Sequence, residues 1–275
     1  MRKRKSILPG FGLGLGLCTV YVGLMVLLPL TALLRQASQL GWPGLRGLFV
    51  APRVLAAFGT SFVCAAAAAG VNLVMGLPIA WALTRYRFPG RRLLDAVLDL
   101  PLALPTAVAG ITLTALFAPQ GWLGAPLERF GVQVVGTRLG IVVALVFVGL
   151  PFIVRTVQPV LEGLDPAYEE AAACLGAGWG QGLRQVVWPQ LRGSALTGCS
   201  LAFARALGEY GSVIFIAGGL PLRTEIAPRL VVARLGVGDV TGAAAVGAAM
   251  LGLSFLLLLT ANVLQRWAAA SGGEA

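Results

Sequence analysis

Six stretches of the chain are apolar over about the 20 residues that a helix needs to cross the hydrocarbon core of a bilayer. They cover about 10–34, 54–83, 96–117, 139–154, 195–217 and 241–264. Barrel strands would alternate apolar and polar positions over about ten residues. These runs are continuously apolar, so the pattern predicts an all-α, polytopic bundle of about six transmembrane helices. Between the fourth and fifth runs lies a longer, more polar loop over about 155–194, and roughly forty residues without structure of their own would be unusual.

That fourth loop contains a helix signal. Asp165 is an N-cap residue, Pro166 suits the first helical position, and Glu169 and Glu170 fall near the positive end of the helix dipole. Gly176 stands where a C-cap glycine is expected. Tyr168, Ala171, Ala172 and Leu175 fall on one narrow apolar face with two small members. Such a face admits the close approach of another surface. It equally suits a helix lying on the membrane or on its own bundle, and spacing alone leaves both readings open.

Composition supports lipid as the solvent. The chain is 57% hydrophobic and 12% charged, where a soluble domain carries about 25% charge. Its mean hydropathy is +0.85. The net charge of +10 would suggest nucleic-acid binding on a soluble surface. Here the basic residues sit mainly between the apolar runs, where they set topology and attract anionic lipid, so the expected contact is the lipid bilayer and no nucleic acid. The basic tail Arg2, Lys3, Arg4, Lys5 precedes an uncharged run with no persuasive cleavage site, which reads as a retained signal-anchor.

Topology follows from Lys and Arg. Twelve basic residues fall on one side: those of the N-terminal tail, Arg85, Arg87, Arg91, Arg92, Arg155, Arg184, Arg192 and Arg266. Eight fall on the other: Arg35, Arg46, Arg53, Arg129, Arg138, Arg223, Arg229 and Arg234. The richer side is expected to be cytoplasmic, with both termini and the fourth loop on it. No Pro- or Ser-rich linker divides residues 1–275, so a single transmembrane domain is expected.

Candidate chemistry is sparse. There is no His, and Cys18, Cys64, Cys174 and Cys199 form no CxxC pair, so neither a metal site nor a redox motif is supported and no cofactor is expected. Three of the cysteines lie in apolar runs and read as small packing residues. Arg205 and Glu209 lie four residues apart inside the fifth apolar run. Intramembrane charges face protein or water, so Arg205 either attracts an anion in a pathway or forms a structural ion pair with Glu209. Ala204 and Gly208 have small-xxx-small spacing, and Gly211 also permits close helix approach. Pro101 and Pro105 open the third run; they either bend it or interrupt it so that N–H groups face an anion, with Thr106 and Thr112 as further donors. Asp95 and Asp99 are expected to pair with Arg91 and Arg92 or to serve the helix dipole.

A membrane enzyme would want intramembrane acid–base or metal residues, and a secondary transporter ionisable relays in several spans. Neither pattern is present. Nor is there a GxxxxGK[ST] phosphate loop, and the lysines are Lys3 and Lys5.

Read whole, the fourth loop is more specific. Glu170-Ala171-Ala172, three residues, Gly176, nine residues, Val186, one residue, then Trp188-Pro189 resembles the EAA-loop signature of bacterial ABC-importer permeases. It departs from that signature in Val186 for Ile and Trp188 for Leu, keeping apolar bulk. The segments 84–91, 99–110 and 205–211 are similar to permeases of the sulfate, thiosulfate and molybdate group, and 151–162 and 213–218 to its T-type sulfate/thiosulfate subunits. The resemblance implies a non-catalytic permease subunit of a bacterial inner-membrane importer. It pairs with a second, W-type permease over two copies of an ATP-binding subunit, and a periplasmic binding protein delivers sulfate or thiosulfate. It further implies that Glu170, Ala171, Ala172, Gly176 and Pro189 belong to the loop that docks on the ATPase. The alternative within the group is a molybdate or other oxyanion permease acting as a homodimer.

Overall fold

The computed structural model describes residues 11–270, and every regular element among them is helical. Four helices are long and apolar enough to cross a membrane unbroken: α1 (Phe11–Ser38), α2 (Pro52–Arg85), α5 (Arg138–Gly163) and α9 (Val240–Ala270). Two further spans are bent pairs. Helices α3 (Arg91–Ala103) and α4 (Thr106–Phe117) meet at 113°, and α7 (Trp179–Leu207) and α8 (Gly211–Ala217) meet at 66°. The loop helix α6 (Ala167–Cys174) lies between α5 and α7. With each bent pair taken as one span the spans number six, as the apolar pattern expects, and the third and fifth are interrupted. The basic tail Arg2–Lys5 lies outside the described residues.

The two interruptions have local causes. Proline disfavours the α conformation at the residue before it, and Leu104, preceding Pro105, is extended with ψ 136°. The third run therefore breaks at Leu104–Pro105 rather than bending. In the fifth run Gly208 ends α7, and the Glu209 carboxylate then accepts from both the N–H and the hydroxyl of Ser212, at 3.0 Å each. That side-chain acceptor replaces the carbonyl that an unbroken helix would offer, so a new helix starts at Gly211.

The bundle core is α2, α5 and α7 packed together. Small residues bring them close. A Cβ at Gly76 of α2 would stand 2.7 Å from Cγ2 of Ile153 on α5. The two bent spans meet through their second halves, α4 against α8. There a Cβ at Gly110 would stand 2.5 Å from the Ser212 carbonyl, and one at Gly211 would overlap Thr106. Gly208, by contrast, meets only its own helix's Arg205 carbonyl, so the Ala204/Gly208 pair does not mediate close packing. Helix α1 buries no side chain over Phe11–Leu27 and packs on α9 through Leu28–Ser38. Cys18 on that first half is exposed, so it does not pack within the chain; Cys64 is buried and Cys199 half-buried, as packing residues are.

Ion pairs hold both ends of the bundle. At one end Arg53 grips the buried Glu225 carboxylate with two N–H donors at 2.8 and 2.7 Å, and Arg138 donates to the Arg223 carbonyl at 3.1 Å. At that end Asp239 caps α9, accepting the Gly242 N–H at 2.8 Å, and it pairs with Arg234. The Gly242 bond, assisted by Arg234, holds the Asp239 carboxyl below its usual range. The contribution of this cap is therefore present above the usual carboxylate pKa and is lost as pH falls through the depressed value.

At the other end Arg155 donates to Asp95 at 2.6 Å and to both Asp99 oxygens at 2.9 and 2.6 Å. This corrects the expectation that Asp95 and Asp99 pair with Arg91 and Arg92. The cause is that α5 does not stop near residue 154. It runs on to Gly163, so Arg155 is held on the helix, where it faces Asp95 and Asp99 of α3. The fourth loop is shorter than 155–194 for the same reason: its first residues belong to α5, and its last, from Trp179, to α7.

Candidate functional site

The loop helix α6 is built as its sequence suggests. Asp165 accepts the Ala167 N–H at 2.9 Å, and Glu169 and Glu170 occupy the first turn. At the other end Gly176 adopts φ +88°, a conformation that costs any residue with a Cβ. Its N–H reaches the Ala173 carbonyl at 2.9 Å, and the Ala177 N–H reaches Ala172 at 3.0 Å. That bond pair is the Schellman stop, so the helix ends where the glycine stands.

The apolar face expected from spacing does not face the bundle. Tyr168, Ala171 and Leu175 are exposed, Leu175 at 90%. The inward side consists of Glu169, Ala172 and Ala173, which with Trp81, Trp179 and Leu183 line a cavity of about 270 Å³. Glu169 bonds Arg85, the last residue of α2, at 2.7 Å. Glu170 points outward and is exposed. The helix is therefore held by one acidic residue and presents the next, together with an apolar tyrosine and leucine, on its free side.

Pro189 lies farther along. It follows a π-helical turn, Leu183–Val187, near the start of α7's regular part, Trp188–Leu207. A widened turn accommodates a proline that lacks an N–H, so α7 continues through it.

Arg205 and Glu209 are paired at 2.6 Å, with Glu209 2% exposed and Arg205 half-buried. The pair does not lie on one face of a continuous helix, as the spacing suggested, because α7 ends at Leu207. Glu209 lies in the break, with one oxygen on Arg205 and the other on the first turn of α8. Pro105 and Thr106 stand at the other break, and Thr106 packs against Gly211. The structure thus brings Arg205, Glu209, Thr106 and Pro105 to the region where the two bent spans meet. It places the loop-helix residues elsewhere, at the end of the bundle with Arg85. Thr112 donates to its own Val108 carbonyl at 2.9 Å. Arg85 and Arg155 were legible in the sequence only as topological charges; their acidic partners lie more than fifty positions away, and no local spacing reveals such pairs.

Residues 72–270 match the family described as binding-protein-dependent transport system inner membrane component. The chain belongs to that family. Its relatives include the sulfate transport system permease protein CysT of Salmonella typhimurium, 49% identical over 95% of this chain and 94% of that one. The protein of the same name from Escherichia coli is 48% identical over the same shares. A third, from Synechocystis, is 46% identical over 90% of this chain and 87% of its own.

Among solved structures, a bacterial alginate ABC transporter in complex with alginate pentasaccharide-bound periplasmic protein has a chain that superposes with TM-score 0.70. That match has 18% identity and covers 94% of both chains. A methionine ABC transporter chain in an inward-facing conformation superposes with TM-score 0.59 at 16% identity, covering 78% of this chain and 95% of that one. These likenesses show the fold of an ABC permease. As a member of the family, the chain is a polytopic membrane component of a transport system.

Proposed function

We propose that the chain is the T-type permease subunit of an ATP-driven sulfate or thiosulfate importer, forming half of the transmembrane pathway. The observation that carries this is identity near one half, over nearly the whole length, with proteins named as sulfate transport permeases. The chain is a single translocation domain and performs no ATP chemistry; hydrolysis resides on two copies of an ATP-binding partner. The second half of the pathway is a W-type permease, and a periplasmic binding protein delivers the anion.

The exposed side of α6, with Glu170, Ala171 and Gly176 at its stop, is the surface for the ATPase. Ala172 lets the helix seat against the bundle, and Pro189 starts the regular helix that carries the loop into α7. The region where the bent spans meet belongs to the pathway, with Arg205 and Glu209 locking its walls beside Pro105 and Thr106.

Purification of the tagged chain from native membranes in mild detergent, followed by identification of the bound chains, tests this reading. The expected set is one different permease and one ATP-binding chain. Recovery of a second copy of this chain as the sole permease would exclude the heterodimer. Recovery without an ATP-binding chain would exclude the function.

Orientation is proposed from the basic residues: both termini and α6 are cytoplasmic in the bacterial inner membrane. On a Cys-less background an impermeant thiol reagent applied from outside is expected to label a Cys at the exposed, open position 236 and to spare one at 176. Labelling at 176 would invert the topology.

A further inference from the structure

Helix α6 has one charged attachment to the spans among the described residues, the 2.7 Å bridge from Glu169 to Arg85. Arg85 closes α2, a helix of 34 residues packed along both α5 and α7. The same Nη2 that meets Glu169 also donates to the Leu164 carbonyl at 3.1 Å, immediately after the end of α5. The guanidinium lies 5.7 Å from the centroid of the Trp81 ring, one turn back along α2. Only 17% of the Arg85 side chain is exposed. One nitrogen thus holds three pieces together: the end of α2, the corner where α5 stops, and the first turn of α6.

Burial stiffens such a junction. An ion pair shielded from water keeps its geometry where an exposed one exchanges with solvent. Trp81 adds a cation–π attraction that favours a positive charge at this position. Neighbouring residues of α6 then divide the labour: Glu169 turns inward to the spans, and Glu170 turns outward. A force applied to the outer side of α6 reaches α2 through Arg85 more directly than through the chain, which would have to carry it back through α5.

We propose that Arg85 is a positioning residue of the coupling apparatus. Its bridge to Glu169 transmits displacement of α6 to α2, and through α2 to the core of the bundle. This rests on the reading of α6 as the ATPase-docking helix.

The test uses the complete importer, with both permeases, ATPase and binding protein, in proteoliposomes. It reads labelled sulfate moved per ATP hydrolysed. Arg85→Gln and Glu169→Gln are each expected to assemble and to hydrolyse ATP in response to loaded binding protein, yet to move about tenfold less sulfate per ATP. Arg85→Lys retains an ammonium that donates to both Leu164 and Glu169 and is expected to stay within about twofold of the parent ratio.

A merely structural bridge would lower the amount of assembled complex and leave the ratio unchanged, and that result overturns the proposal. Equal loss in Arg85→Lys and Arg85→Gln overturns it as well. Should Arg85→Gln fail to assemble, Glu169→Gln decides alone, because Glu169 is more exposed and its substitution is isosteric. Failure of the underlying docking reading is distinguishable: it appears as normal uptake in Glu170→Lys, whatever the Arg85 variants do.

Discussion

Glu170→Lys inserts and folds normally, and its ATP-driven sulfate uptake falls at least about tenfold, with weaker retention of the ATP-binding subunit. The side chain is exposed and makes no side-chain hydrogen bond or ion pair among the described residues. Within the helix, a lysine in the first turn opposes the dipole at a cost of about 0.3–1 kcal/mol, too little to unfold a capped helix tied to α2. Toward a docked partner the effect is larger. Reversing a charge at a contact surface replaces attraction by repulsion, and like-charge juxtaposition costs several kcal/mol. Uptake, membrane abundance and co-purified ATPase measured on one preparation check the prediction. Normal uptake would remove α6 from the coupling path. Gly176→Ala is expected to act in the same direction and more weakly: φ +88° strains any Cβ by about 1–2 kcal/mol, which shifts the end of the helix without altering its exposed charge.

Arg205→Ala and Glu209→Ala each lower the amount of assembled permease severalfold, and the double substitution to apolar residues of similar volume restores much of it. The geometry sets the sign. Removing Arg205 strands a carboxylate that is 2% exposed, and a buried charge deprived of its partner costs about 3–5 kcal/mol. Removing both charges spares that cost, and the remaining loss is the Ser212 cap. Glu209→Ala additionally loses the two Ser212 bonds that start α8. Quantitative membrane blots and detergent-resistant complex measure assembly. Transport by the restored double variant then separates two roles: uptake means that Arg205 is structural, and assembly without uptake places its charge in the pathway. Normal assembly of both single variants would contradict the pairing altogether.

The elements that the sequence made legible are those with a local signal. Continuous apolar runs located the six spans because lipid enforces that pattern, and the α6 caps were readable because Asp165, Glu169, Glu170 and Gly176 act within a few residues of one another. What escaped depends on distance. The break at Leu104–Pro105 decides for interruption where the sequence left bend or interruption open, and the break at Gly208–Tyr210 is made by Glu209 bonding Ser212 rather than by a breaker residue alone. The Arg85–Glu169 and Arg155–Asp95/Asp99 bridges join residues far apart in the chain, so no local spacing signals them, and for Asp95 and Asp99 the nearer Arg91 and Arg92 stood as the expected partners. The inward turn of Glu169 and the outward turn of Tyr168 and Leu175 exclude the bundle-facing one of the readings that the apolar stripe left open. A helix that docks on a partner exposes its apolar residues until the partner is present.

The most direct test of the account is uptake of labelled sulfate into proteoliposomes holding the purified complex, with ATP and loaded binding protein supplied on their respective sides. The account predicts uptake that requires both, is suppressed by excess thiosulfate, and stops when the ATP-binding subunit is omitted. Sulfate uptake that persists without ATP and without that subunit would contradict it.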